Sequence, residues 1–178
     1  MAEQDSFIDV YVEQARSAAG RIVFPEGGDQ RIQAAATRIV EFGIADVILL
    51  AGADELSELK GCTVIDPGAS PMLERYAQQY AAGPRSVSAP VAQRAVKKPL
   101  YFAGMMVRAG DAETMVAGIA NPTRRVIEAA RLSIGLSDGI ETPSSFFIMK
   151  PRNGRPMVFA DCAVNVDPSS EQLADIAI

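Results

Sequence analysis

Histidine is absent from this sequence, and with it the commonest general base and metal ligand near neutral pH. Tryptophan is absent too. The only cysteines, Cys62 and Cys162, lie too far apart to give zinc-ligand spacing or a disulfide framework. No apolar run approaches the ~20 residues of a membrane-spanning helix. The opening MAEQD has neither the basic nor the apolar region of a signal peptide, so the cytoplasm is the expected location. Glycine signatures are missing as well. The turn PEGGD at 25–29 lacks the third glycine of GxGxxG and its spacing, and no Walker loop occurs. Hydride transfer from a nicotinamide and P-loop phosphoryl transfer therefore lack their sequence marks. There is no excess of positive charge: the net charge is -5 and the pI about 4.8. That argues against a nonspecific nucleic-acid or anionic-membrane surface, so any anionic ligand must be held by a local cluster of donors.

What is present is the pattern of an α/β domain. A 48% apolar and 22% charged composition suits a folded globule of one domain, or one domain and part of another. The organising stretch is 21–31, RIVFPEGGDQR. Ile22, Val23 and Phe24 read as a buried strand entering a tight Pro-Gly-Gly turn. Asp29 is placed to N-cap a helix whose apolar face is Ile32, Ala35, Ala36, Ile39 and Val40. Gly43 ends that helix and 45–50 (ADVILL) gives a second buried strand, which makes a right-handed βαβ unit with parallel strands. The glycine turn lies at the strand's carboxyl end, where open α/β sheets place ligands.

Before this unit, residues 6–19 pattern as an amphipathic helix. After it come a short helix at 53–60, a strand at 62–65 and a helix opened by Ser70 and Pro71. Two helices over 89–97 and 100–109 follow, then a strand at 114–117 and a helix from about Thr123 to Ile134. Alternation of strand and helix implies a mostly parallel sheet covered by helices on both faces, a three-layer αβα arrangement. Met105 and Met106, with Tyr101 and Phe102, read as core.

The polar, glycine-containing stretch 135–143 reads as a hinge. This gives a first domain of residues 1–143 and the beginning of a second at 144–178. The second opens with a β-hairpin, 145–149 and 157–160, and ends in a helix with Asp167 as N-cap and Pro168 at its first position. That helix is shorter than the ~12–15 residues at which an isolated helix is even marginal, and a lone hairpin cannot supply its core. The chain is therefore expected to be the N-terminal portion of a longer protein.

The best candidate for chemistry is 116–125, VAGIANPTRR. A strand ends at Gly118, the chain turns through Asn121 and Pro122, and a helix opens at Thr123. Backbone N–H groups and the positive end of the helix dipole face whatever occupies that turn. Thr123 adds a hydroxyl, and Arg124 and Arg125 add guanidiniums suited to phosphate oxygens. The alternative is a Thr123 that only caps the helix beside solvated arginines. Arg31, one step past the Asp29 cap, is a second possible phosphate contact; the plainer reading of its turn is glycine for the bend and Asp29 for the cap. Asp161, ending a strand, is suited to act as acid, base or orienter, or to bond a turn.

Taken together, 21–31, Gly43–Asp46, 101–106, Gly110 and Asp111 with 115–118, 159–165 (FADCAVN) and 167–177 resemble the phosphate acetyltransferase (phosphotransacetylase) family and its butyryltransferase relatives. The resemblance implies reversible acetyl transfer between coenzyme A and inorganic phosphate, with no metal and no covalent enzyme intermediate. Coenzyme A or acetyl-CoA then enters as substrate and no cofactor is tightly bound. The implied partners are acetyl phosphate, phosphate and CoA, with neither nucleic acid nor membrane. It further implies two α/β domains around a cleft, a fold similar to isocitrate and isopropylmalate dehydrogenases, and a homodimer of the complete protein. Carried over by position, Asn121, Thr123, Arg124 and Arg125 fall in the substrate-lining loop, and Ser144, Ser145 and Asp161 face the same cleft. The family's catalytic residues are expected downstream of Ile178. Two departures stand out: Glu128 where many members place an arginine, and a shortened segment at 82–85 that leaves Arg85 as the one candidate there for a CoA-phosphate contact. The competing readings are a non-catalytic transacetylase-like binding or regulatory domain, a phosphate butyryltransferase with a larger acyl group, and a decarboxylating dehydrogenase-like protein.

Overall fold

The computed structural model describes residues 2–56, 58–83, 86–152, 154–162 and 164–177, with the backbone alone for 2–6. The chain divides into two compact units, Met1–Gly135 and Leu136–Ile178. Among the described residues no helix is long and apolar enough to cross a membrane.

The first unit is a parallel sheet between layers of helix. Strands β1 (Arg21–Phe24), β2 (Asp46–Leu50), β3 (Cys62–Ile65) and β4 (Thr114–Met115) lie in the order β3-β2-β1-β4, all parallel. Successive side chains of a strand point to opposite faces, and the two faces find different partners. Val23, Ile48 and Leu50 pack with Tyr76, Val96, Phe102, Met105 and Met106. These come from α3 (Leu73–Ala81), α4 (Ala89–Val96) and α5 (Pro99–Ala109). Phe24, Val47 and Leu49 pack on the other side against Ile32 and Ala36 of α2 (Gln30–Glu41). This is the three-layer αβα arrangement that strand–helix alternation implies. At the strand's lower edge Arg21 forms a two-pronged ion pair with Glu113, its Nη2 lying 2.7 Å from Oε1. The same Nη2 donates to the Gly110 carbonyl at 2.8 Å, fixing β1 to the approach to β4.

Local signals account for the helix ends. Asp29 has extended backbone and its Oδ1 accepts from the Arg31 N–H at 2.9 Å, so it is the N-cap of α2. Gly43 and Gly110 take left-handed φ values of 60° and 74° just past α2 and α5, where a side chain would be strained. Helix α1 (Ala2–Ala18) starts earlier than its pattern suggests, and Arg16 Nε donates to the Phe42 carbonyl at the C-terminus of α2 at 2.7 Å.

Three further elements of the first unit differ from the sequence reading. Residues 53–55 and 60 form turns, and 56, 58 and 59 are irregular, instead of a helix. Glu55 folds back so that its Oε2 accepts from the Gly52 N–H at 3.1 Å, and Leu56 and Leu59 reach the core from an irregular path. Helix α3 begins at Leu73, because Ser70 Oγ accepts from the Met72 N–H in a preceding turn. Strand β4 stops at Met115 instead of 117, although the Val116 N–H still reaches the Val23 carbonyl at 3.1 Å. The chain then leaves the sheet.

In the second unit β5 (Phe146–Met149) and β6 (Met157–Ala160) form an antiparallel hairpin, and α7 (Ser170–Ala177) follows α6 (Thr123–Ser133) of the first unit in chain order. The start of α7 differs from expectation. Ser169 is its capping residue: Ser169 Oγ accepts from the Gln172 N–H while Gln172 Oε1 accepts from the Ser169 N–H at 2.9 Å, a capping box. Asp167 lies outside the helix with φ 58°. Asp175 of α7 accepts from the N–H groups of Glu141 and Thr142.

Candidate functional site

Tyr101 and Lys98 introduce the site. Lys98 stands just before α5 with extended backbone, and Pro99 takes the first helical position, where the missing N–H is no loss. The Lys98 ammonium lies 5.8 Å from the Tyr101 ring centre, a cation–π distance. Facing them is the start of α6, whose capping position is Pro122, again with extended backbone and no side-chain cap. Thr123 therefore occupies the first helical turn and does not cap the helix. Between the two helix starts lies a cleft of about 490 Å³. Lys98, Pro99, Leu100 and Tyr101 line it from α5; Asn121, Arg125 and Glu128 line it from α6; Pro25 closes it from the end of β1. Two helix N-termini and two cations against one carboxylate make this an electropositive concavity.

The turn beside the cleft is organised by an internal anion. Glu26, only 8% exposed, sends its carboxylate into the loop after β4. Oε2 accepts from the N–H groups of Gly118 and Ile119, both at 2.9 Å. Oε1 accepts from those of Ala120 at 2.9 Å and Asn121 at 2.8 Å, and from Asn121 Nδ2 at 2.8 Å. Four successive amides pointing at one anion form a nest, and Gly118 allows it by adopting φ 117°. Burial pushes the Glu26 carboxyl up, but the Asn121 side chain and the loop amides outweigh it and hold it below the usual carboxylate range. The loop that supplies these amides starts three residues after the last residue of strand β4.

The residues singled out from the sequence are distributed as follows. Asn121 and Arg125 line the cleft. Thr123 and Arg124 are exposed on the first turn of α6 and do not line it. The amides at 118–121, which the sequence suggests for an external phosphoryl group, are bonded to Glu26. Arg31 grips Asp29 through Nε (3.0 Å) and Nη2 (2.7 Å), which holds the Asp29 carboxyl at about 2. Its Nη2 also lies 3.4 Å from the Ile119 carbonyl. Arg85 lies outside the described residues. Ser144, Ser145 and Asp161 are in the second unit, where Asp161 has φ 51°, its N–H donates to the Ser145 carbonyl and its Oδ1 accepts from Asn165 Nδ2 at 2.9 Å. Tyr101 is half-buried at the cleft, whereas Phe102, Met105 and Met106 are core as their spacing implies.

Sequence reasoning passed over Lys98 and Glu26, and read Tyr101 as core where the structure puts it half-buried on the cleft wall. The signal for Lys98 was an unabsorbed Lys-Pro at a helix start. That for Glu26 was a charged residue inside a proline–glycine turn, where no cap or bend requires one.

A family model for phosphate acetyl/butaryl transferase matches residues 6–178. The chain belongs to that family. Among its relatives, the phosphate acetyltransferase of Nitratidesulfovibrio vulgaris is 37% identical over 177 residues, covering 94% of this chain and 25% of that protein. That of Thermoanaerobacterium thermosaccharolyticum is 33% identical, covering 97% of the chain and 57% of the relative. Two solved structures are similar. The phosphotransacetylase from Streptococcus pyogenes has a TM-score of 0.86 at 27% identity over 97% of this chain and 56% of that one. The EutD phosphotransacetylase from Staphylococcus aureus has a TM-score of 0.81 at 27% identity, over 97% and 55%. The transferase-family chain thus spans about half the length of most of these relatives, and a quarter of one.

Proposed function

We propose that the protein is a phosphate acetyltransferase, moving an acetyl group reversibly between coenzyme A and inorganic phosphate. The single observation that carries this reading is the cleft between the starts of α5 and α6, with Lys98 and Arg125 on its walls. In the direction of acetyl-CoA formation, the thiolate sulfur of coenzyme A attacks the carbonyl carbon of acetyl phosphate. The carbon–oxygen bond to phosphate breaks, and phosphate leaves with the bonding pair. No redox change occurs. The demand on the protein is to hold two anionic reactants together and to stabilise charge on the carbonyl and leaving oxygens. Arg125 offers a planar fork to phosphate and Lys98 a point charge, so these two hold the phosphoryl group. Ser144, Ser145 and Asp161 of the second unit are proposed as further substrate contacts, with coenzyme A as substrate and the complete protein a cytoplasmic homodimer. Residues 1–178 alone are proposed to bind phosphate without turnover, because the resemblance puts the family's catalytic residues downstream.

The test is formation of acetyl-CoA from acetyl phosphate and coenzyme A by the complete protein. Arg125→Ala and Lys98→Ala are each expected to raise the KM for acetyl phosphate about tenfold, the size of a lost charge-assisted hydrogen bond, with Arg125→Lys a poor replacement. Unchanged KM in both variants removes the cleft from the reaction. Butyryl phosphate assayed in parallel decides acyl size. Glu128 favours one second reading, a binding domain without catalysis, since it places a carboxylate in the cleft where the resemblance implies an arginine. Acetyl-CoA binding by the complete protein without turnover supports that alternative.

A further inference from the structure

Glu26 sits in the turn that the sequence explains by glycine and a helix cap, and neither of those needs a carboxylate. Its two oxygens nonetheless accept five hydrogen bonds, four from consecutive backbone amides and one from Asn121 Nδ2. Its neighbour Pro25 lines the cleft, and so do Asn121 and Arg125, which follow the loop that it holds. A core side chain in this place would leave four backbone donors of the loop without a protein partner, and a water or a free anion would fill them without linking the two loops. The link between residues separated by more than ninety positions is what only a side chain supplies.

We propose that Glu26 is a positioning residue for the cleft: its carboxylate takes an anion's place in the amide nest of residues 118–121 and so fixes Asn121 and Arg125 on the cleft wall. This rests on the reading of the cleft as the phosphate-binding site. Two consequences follow from the chemistry. The nest is satisfied from within, so a bound phosphate is held by the cations and not by these amides. Asn121 gives its backbone N–H and one of its two side-chain N–H groups to Glu26, so what it offers a ligand is the second Nδ2 hydrogen and the Oδ1 acceptor.

The amide side chain of Glu26→Gln is isosteric, but one of its two ends is itself a donor. It satisfies the pair of amides at Oε1 and opposes the pair at Gly118 and Ile119. Glu26→Ala empties the nest and leaves space for formate. The experiment is ¹⁵N NMR of the protein, reading hydrogen exchange at 118–121 and the side-chain signals of Asn121 and Arg125, without ligand and then through a titration with inorganic phosphate. In Glu26→Gln the exchange of the Gly118 and Ile119 amides is expected to quicken about tenfold or more, with the Arg125 and Asn121 signals broadened and β1–β2 amides unchanged. In Glu26→Ala all four amides lose protection, formate restores it, and the apparent Kd for phosphate rises about tenfold and recovers with formate. Unchanged protection in both variants overturns the proposal. So does lost protection with unaltered Arg125 signals and unaltered phosphate affinity, which marks Glu26 as merely structural. Failure of the wild-type protein to shift at Lys98 or Arg125 with phosphate overturns the reading of the cleft instead, and the amide and side-chain signals still report on Glu26.

Discussion

Gly104 in α5 faces Ser133 in α6 across a contact with room for a hydrogen and nothing larger. A Cβ built at Gly104 would lie 1.8 Å from Ser133 Oγ and 2.8 Å from its Cβ. Ser133 is fully buried and its hydroxyl is held by the Ala129 carbonyl at 2.6 Å, so it has no free rotamer to give. Gly104→Ala should therefore push the two helices apart and cost about 1–3 kcal/mol, the usual penalty of overpacking. Urea unfolding of the single variant, of Ser133→Gly and of the double variant checks it. The double variant should recover much of the loss, a coupling that helix propensity alone would not produce, since each glycine in a helix costs about 1 kcal/mol. Because α5 and α6 carry the two walls of the cleft, widening this contact also moves Lys98 relative to Arg125. Such a contact leaves little mark in a sequence. Gly104 reads as an ordinary apolar helix position, and Ser133 as a polar one near a helix end. The same holds for Glu26, whose partners lie more than ninety residues on and share no local pattern with it.

At the scale of elements, what was legible is what is decided within a few residues. Asp29 shows this. Its identity, its place before an apolar-periodic run and the glycines preceding it all specify the cap of α2, and the structure contains it. Asp29→Ala is expected to destabilise the protein by about 0.5–2 kcal/mol, measured as a lower urea midpoint, while Asp29→Asn retains most of the cap. The gap between the two variants isolates the cap, and the gap between the wild type and Asp29→Asn isolates the ion pair with Arg31, which at an exposed site should add little. The start of α7 was misplaced by the same kind of reasoning. Asp167-Pro168 carries the stronger local signal, but Ser169 and Gln172 satisfy two N–H groups reciprocally where Asp167 satisfies one. The segment 53–60 was misread because a short amphipathic run reads alike as helix or turn. Leu56 and Leu59 fill the space beside β3 either way, and the Glu55 side chain takes the Gly52 amide. Strand β4 was read two residues too long because Val116 and Ala117 continue its apolar run, while the structure ends the strand at Met115 and turns into the loop held by Glu26.

For the molecule as a whole, three depressed carboxylates of the first unit bear on stability in acid. Asp29, Glu113 and Glu26 all titrate below their ordinary values in the folded chain. Asp29 is held at about 2 by Arg31, Glu113 at about 2 by Arg21, and Glu26 by Asn121 and the loop amides against the opposing effect of burial. A carboxylate whose folded pKa is depressed contributes stability that is fully present above its unfolded value, here 3.8 for Asp29 and 4.5 for the glutamates. That contribution is lost as the pH falls through the folded value. The melting temperature should accordingly hold level from neutrality to about pH 5 and then decline toward pH 2. Asp29 and Glu113 make exposed ion pairs that salt screens, whereas Glu26 is buried among backbone amides that it does not. Calorimetric scans between about pH 2.5 and 7, at low salt and at about 1 M salt, separate the two. Arg21→Ala should flatten the low-salt decline by raising the Glu113 pKa toward its ordinary value, the backbone N–H of residue 21 still holding it part of the way down. Glu26→Gln should flatten the decline that persists in high salt. A decline that disappears entirely in high salt would place the acid sensitivity in the surface pairs and leave the Glu26 carboxylate without the energetic weight that its five hydrogen bonds imply.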